Sequence, residues 1–300
     1  DASRFPERFT DDGLIAKKDK SILLAMVPPQ ELQVMVLSPT WDEARKIGIK
    51  LTEKYKKLLE SNGIRTKYGA ESGYTTDQMH TADGKLITLE LTLDILDQAV
   101  DSLDPQEAKY VRYALDLAAG EMYIPEIDMY YIGPDAATQI PGISEESKKD
   151  GLVTNAEFTQ YKLGLLEKYG RFLSVEDWAD DTEPEHWEDA KQIMDRWIQM
   201  GDDFDVSLAY WIKKYAQYQN AHLQKPNQSA EEETAIDAVA TSHNLGNVVV
   251  ASHRGTRSAQ ETYTALFAIG AGVFAGKWTL WGPGRGALIA AMTQTDAVLN

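Results

Sequence analysis

Short apolar runs and amphipathic helical stretches alternate along most of this chain. A chain so patterned must bury strands that carry helices on their faces. Residues 32–37 read as a strand. Thr40 follows, and with Glu43 it makes a capping box, which satisfies backbone N–H groups that a helix start leaves open. The spacing of Ala44, Ile47, Leu51, Tyr55 and Leu58 predicts a helix to about Asn62, ended by Gly63. Asp104-Pro105 opens a second predicted helix, with Val111, Leu115 and Ala118 on its face and Gly120 at its end. Thr154 with Glu157 is a further capping box, and its helix turns Phe158, Tyr161, Leu165 and Tyr169 inward. A strand is predicted at residues 171–175. Trp187, Ala190, Ile193, Met194 and Trp197 give another helical stripe, as do Val206, Ala209, Ile212 and Tyr215. Ser229 with Glu232 starts a helix that ends near Gly246. Val248-Val249-Val250 is apolar throughout, the mark of a strand buried on both faces. Repeated units of this kind over 300 residues favour an α/β barrel or a doubly wound sheet.

Charge narrows the partners. The chain carries 47 acidic against 30 basic residues, a net −17, which argues against nucleic acid and against anionic lipid. An acidic surface still admits an anionic substrate where the pocket itself is basic. With no cysteine, disulfides and thiolate metal sites are excluded. The longest uncharged stretch, residues 262–276, is too short and too interrupted by glycine to span a membrane, and a buried helix running into a strand explains it better. No signal peptide is visible, so a cytoplasmic location is the expectation. Residues 1–30 read as an N-terminal extension or remnant, and residues 31–300 as one barrel domain.

The acids, lysines and one histidine fall where a barrel would use them. Glu71 follows the short run Tyr68-Gly69-Ala70, and Asp135 follows Tyr130-Tyr131-Ile132-Gly133. Glu176 closes Phe172-Leu173-Ser174-Val175, and Asp202 closes Ile198-Gln199-Met200-Gly201. Lys225 ends His222-Leu223-Gln224, His253 ends the strand through Val250 with Arg254 next, and Lys277 ends Val273 to Gly276. In a barrel the C-terminal ends of the strands converge on one mouth. Three carboxylates there make a hard oxygen site suited to Mg²⁺. Lysines and an arginine there suit a phosphorylated or carboxylated substrate. Taken singly, each is more often a helix cap, a solvated charge or a turn residue. Their order along the chain carries the argument.

That ordered series resembles the catalytic domain of the enolases. Gly69-Ala70-Glu71-Ser72-Gly73-Tyr74 resembles G-D-E-G-G-F, and Ile132-Gly133-Pro134-Asp135-Ala136-Ala137-Thr138 resembles I-G-M-D-V-A-A-S. Ser174-Val175-Glu176-Asp177 is similar to S-I-E-D, Gly201-Asp202-Asp203 to G-D-D-L, and Leu223-Gln224-Lys225-Pro226-Asn227-Gln228 to L-L-K-V-N-Q. Ser252-His253-Arg254 matches S-H-R, and Gly276-Lys277 resembles the last lysine segment, for which Lys277 and Thr279 compete.

The resemblance implies a TIM-type (β/α)8 barrel and a Mg²⁺-dependent, glycolytic lyase that dehydrates 2-phosphoglycerate to phosphoenolpyruvate. It implies Asp135, Glu176 and Asp202 as metal ligands, Lys225 as base and Glu71 as the group that helps hydroxide leave. His253, Arg254 and Lys277 would bind a small phosphorylated acid, and a homo-oligomer is allowed. Departures are expected to impair catalysis: Ala70 stands for the Asp before Glu71, and Val34, after Gln33, for the acid of M-Q-E-F. Nothing corresponds to the family's N-terminal capping domain. Two other readings therefore stand beside the first. One is an enolase-like barrel that serves as a structural or binding protein. The other is an acid-sugar dehydratase of the wider superfamily.

Overall fold

The computed structural model describes residues 31–69, 73–229, 231–253, 259–280 and 285–299. Residues 1–30, the proposed extension, lie outside that set. Strand β1 (Glu31–Val36) leads into a helix at Trp41–Ser61, capped by the Thr40 side chain accepting from Glu43 N as the sequence predicts. Short strands β2 (Lys67–Tyr68) and β3 (Tyr74–Thr75) pair as a hairpin. After a helix at Leu89–Asp101 comes β4 (Val111–Asp116). Strands β5 (Tyr123–Ile124), β6 (Met129–Tyr131) and β7 (Leu152–Val153) form a small antiparallel sheet of their own. The helix Asn155–Lys168, started by the predicted Thr154–Glu157 capping box, precedes β8 (Phe172–Glu176). Then follow β9 (Ile198–Gly201), β10 (Ala221–Gln224), β11 (Val248–Ala251) and β12 (Ala275–Gly276), with helices Ala209–Lys214, Glu232–Asn244 and Ala259–Gly270 between them. The helix Arg285–Leu299 closes the described chain.

The main sheet runs β1-β4-β8-β9-β10-β11-β12. Every neighbouring pair from β4 onward is parallel, and β1 alone is reversed, with Glu31 opposite Asp116. This curled, parallel-rich sheet flanked by helices is the TIM-barrel fold that the sequence led us to expect. The two faces are distinct. Met200, Ala221, Leu223 and Val250 cluster with Ile198, Val248 and Ala275, all at alternate positions of β9 to β12. Val249 turns the other way, onto Ala235 and Val239 of one helix and Phe267 of the next. Period-2 alternation therefore separates an inner face from a helix-covered one. No helix among the described residues is long and apolar enough to cross a membrane.

Four predicted elements change. The helix expected from Asp104-Pro105 to Gly120 is only one turn, Pro105–Ala108, and Val111–Asp116 is strand β4. Val111 and Leu115 fit a helical stripe, but Tyr113 and Ala114 between them are buried as well. A segment buried on both faces, pairing with β1 on one side and β8 on the other, is satisfied by a sheet and not by one helix face. The stripe from Trp187 to Trp197 forms a 3₁₀ helix only at Pro184–Gln192. The helix expected from Val206 starts at Ala209, because Val206 and Ser207 take positive φ values of 45° and 58°. Ser229 does not cap the next helix, whose N-cap is Glu231 without a side-chain bond.

Candidate active site

Strand parity places the site. On β9 and β10 the inner-face series 198, 200 and 221, 223 continue to Asp202 and Lys225, and on β12 Ala275 continues to Lys277. All three leave the ends of parallel strands, so all three reach the same mouth. Glu176 ends β8 and is 1% exposed. Asp116 ends β4 beside it, in register. Because β1 runs the other way, its first residue, Glu31, arrives at this mouth too.

The polar groups interlock. Lys277 Nζ donates to Asp116 Oδ2 at 2.6 Å and to Glu176 Oε1 and Oε2 at 2.8 and 3.0 Å, and lies 3.2 Å from Glu31 Oε2. Lys225 Nζ donates to Asp202 Oδ2. Asp177, held at φ 48°, accepts from the backbone N–H of Asp202 at 3.0 Å and of Asp203 at 3.2 Å, so it pins the loop after β9. Gly276 is required by its neighbour: a Cβ there would fall 1.9 Å from the Trp278 ring. Ser252 and His253 are buried after β11, and Ser252 N–H donates to Gln224 O at 2.9 Å.

Five carboxylates (Glu31, Asp116, Glu176, Asp177 and Asp202) thus face two ammonium groups. The electrostatic consequences follow. Burial, reinforced by the charge of Asp116, pushes the Glu176 carboxyl well above its ordinary range. Burial and then the charge of Asp202 do the same to Asp177. Burial raises Asp116 as well, against the pull of Lys277. Burial works to lower Lys277, but Glu176, Asp116 and Glu31 outweigh it and hold this ammonium firmly protonated. Lys225 is likewise pulled down by burial, yet Asp202 keeps it above the usual lysine range.

These residues fit a divalent cation. Oxygens of Asp116, Glu176 and Asp177 lie within 4.8 Å of one another and are buried. Asp202 Oδ1 is buried without a hydrogen-bond partner, an orphaned anionic atom that a cation would satisfy. An all-oxygen carboxylate set is what hard cations take. Both oxygens of Asp177 accept from backbone N–H groups, whereas Asp202 keeps one oxygen without a hydrogen-bond partner.

The site residues predicted from sequence separate accordingly. Glu176, Asp202, Lys225 and Lys277 come together, and His253 lies buried after β11. Of the two candidates for the last position, Lys277 meets the carboxylates. Asp135 does not join them. It is exposed on the turn of helix Pro134–Ala137, beside the small β5–β7 sheet. Glu71 and Arg254 lie outside the described residues. Sequence reasoning missed Asp116, although Leu115-Asp116-Leu117-Ala118-Ala119 fits the M-D-V-A-A pattern without a gap. It also placed the missing acid at Val34, which is 38% exposed in the middle of β1. Gln30-Glu31-Leu32 fits M-Q-E-F better, and Glu31 stands in the site. Residues 25–295 match the family model described as enolase, C-terminal TIM barrel domain.

Proposed function

Since the chain belongs to the enolase C-terminal TIM barrel family, we propose that it dehydrates 2-phosphoglycerate to phosphoenolpyruvate with Mg²⁺ as cofactor. The observation that carries this reading is the interlock of Lys277 with Asp116, Glu176 and Glu31 beside the Lys225–Asp202 pair. Asp116, Glu176 and Asp202 would hold the ion. A bound Mg²⁺ would supply Lewis-acid stabilisation of the negative charge that builds on the substrate carboxylate as the proton leaves.

The protein's own groups do the rest. Lys225 takes the proton beside the substrate carboxylate. To do so it must be neutral near pH 7, whereas Asp202 now holds it protonated. With a cation on Asp202, the pull of that carboxylate on Lys225 would weaken and burial would lower the lysine. Lys277, which here holds Asp116 and Glu176, would offer its ammonium to the substrate carboxylate once those acids held the ion. Glu31, with Glu71, serves the departing hydroxide, and Arg254 with His253 serves the phosphate. Glu31, 3.2 Å from Lys277, would supply the acid that Val34 does not.

Calorimetric Mg²⁺ titration, followed by the absorbance of phosphoenolpyruvate on adding 2-phosphoglycerate, tests the reading. Turnover by the wild type, abolished in Lys225→Ala with Mg²⁺ binding retained, is the expected result. Turnover that survives Lys225→Ala would overturn the assignment of the base. Mg²⁺ binding without any turnover would overturn the substrate.

A further inference from the structure

Behind the site, on the helix-covered side of β10, lies a polar network that nothing above uses. His222 and Asp205 are both 0% exposed, and His222 Nδ1 lies 2.9 Å from Asp205 Oδ2. A carboxylate only accepts, so the imidazole donates here. His222 Nε2 lies 3.0 Å from Gln224 Oε1, and Gln219 Nε2 donates to the same Asp205 oxygen at 2.9 Å. By strand parity His222 and Gln224 point opposite to Leu223 and Lys225, so neither reaches the mouth. Gln224 also stands where the L-L-K pattern has an apolar residue. A buried charged pair is costly to build, and one placed inside a sheet–helix interface calls for a reason.

The reason lies in the loop 202–208. It carries Asp202 at one end and holds two consecutive left-handed residues, Val206 (φ 45°) and Ser207 (φ 58°), at the other. A β-branched residue in that region is strained and persists only when its surroundings over-determine it. Those surroundings are this network. Asp205 Oδ1 accepts from Ser207 N–H at 3.2 Å, and Val206 N–H donates to Asp202 O at 2.9 Å. Ser207 Oγ in turn accepts from Lys225 N–H at 2.9 Å and faces Gln228 Oε1 at 3.2 Å. The network also presses on the residue before Asp202: a Cβ at Gly201 would meet Gln219 Oε1 at 2.2 Å and Asp205 Oδ2 at 3.3 Å. Contacts therefore run from Asp202 to Val206, and from Asp205 through Ser207 to Lys225.

We propose that the buried His222–Asp205 pair is a positioning device that locks the strained loop 202–208 and so sets Asp202 against Lys225. This rests on the reading of Asp202 as a metal ligand and Lys225 as the base. Neither His222 nor Asp205 touches substrate or ion; both act through the loop.

The test uses the whole chain with Asp205→Asn, which keeps the shape and removes the charge, and reads Mg²⁺ affinity by calorimetry and amide exchange by mass spectrometry. Mg²⁺ binding should weaken at least ten-fold. Exchange at Val206 and Lys225 should quicken at least ten-fold while that of β4 and β8 stays as in the wild type. A folded variant with unchanged Mg²⁺ affinity and unchanged exchange at these amides would overturn the proposal. So would exchange that quickens evenly over the chain with Mg²⁺ affinity intact, since that is a purely structural loss. Where Asp205→Asn fails to fold, Ser207→Ala breaks the same chain of contacts at its other end and is judged by the same two readings. A wild type that binds Mg²⁺ but leaves 2-phosphoglycerate intact sinks the proposed reaction and not this inference. Should the wild type bind no Mg²⁺, the ligand reading fails and local exchange alone decides the lock.

Discussion

The Lys277 ammonium donates to Asp116 Oδ2 at 2.6 Å across a sequence separation of 161 residues. It sits among the oxygens that a divalent cation would take, so one positive charge stands where another is expected. The two uses of these carboxylates exclude each other, and that makes the arrangement testable.

Lys277→Met should lower the stability of metal-free protein at neutral pH by about 3–5 kcal/mol, the usual cost of leaving one partner of a buried ion pair alone. Mg²⁺ should then restore more stability to the variant than it adds to the wild type. Urea melts with chelator and with Mg²⁺ measure both. Equal metal-free stabilities would mean that Lys277 is not neutralising Asp116 and Glu176.

The buried carboxyls predict a pH dependence with a definite sign. Asp116, Glu176 and Asp177 all have raised pKa values when folded, with burial the largest cause. A carboxyl that keeps its proton longer in the folded state contributes full stability below its unfolded value, near ~4, and loses it as pH climbs through the raised value. Metal-free protein should therefore weaken as pH rises above the ordinary carboxylate range, the direction set by these three raised groups. Lys277, also raised, would lose its contribution only at far higher pH and does not offset this. Mg²⁺ binding must displace the retained protons. Calorimetry in two buffers of different ionisation enthalpy should show net proton release that shrinks as pH rises, and no release at any pH would contradict the burial described.

Asp116→Asn and Asp135→Asn separate the ligand set from its alternative. The first should weaken Mg²⁺ binding by about 100-fold or more, beyond the roughly 10–100-fold typical of partners outside the coordination sphere. The second, on an exposed turn, should change Mg²⁺ affinity and turnover less than about two-fold. The reverse ranking would return Asp135 to the site.

Those two residues also show how far the sequence could be read. Glu176, Asp202, Lys225 and Lys277 were legible because each closes an apolar run at the C-terminal end of a parallel strand, where a barrel puts its chemistry. Asp116 closes such a run as well, but Pro105 opens a helix just before it, and the spacing 111, 115, 118 suits a helical face. Only pairing with β1 and β8 decides for a strand, and pairing is not local information. Glu31 was hidden for a different reason: it starts a strand instead of ending one, and only the reversal of β1 brings a strand's first residue to the mouth. The loop 202–208 escaped because Val206 continues an apolar stripe, while its positive φ is imposed by buried groups from β10 and the segment before it.

A last prediction concerns Lys162, which is buried on the helix Asn155–Lys168 and has no carboxylate within ion-pair distance among the described residues. Its Nζ lies 4.2 Å from the Phe158 ring centre and 4.1 Å from that of Trp178, and it donates to Trp178 O at 2.5 Å. Burial holds its pKa well below the lysine range, with Asp189 and Asp180 only partly opposing. A lysine harder to protonate folded than unfolded penalises the folded state most at low pH. That penalty lifts as pH rises through the folded value toward the unfolded one near ~10.5. Lys162→Met keeps the length and the contact with both rings but leaves the Trp178 carbonyl without this donor, a loss of about 1–3 kcal/mol that does not vary with pH. The wild type should accordingly gain stability relative to Lys162→Met as pH rises above neutrality, with the balance tipping toward the variant on the acid side. Urea melts of both proteins at several pH values between about 6 and 10 follow the difference directly. Parallel curves would mean that Lys162 keeps an ordinary pKa, and therefore that water reaches its ammonium behind Trp178.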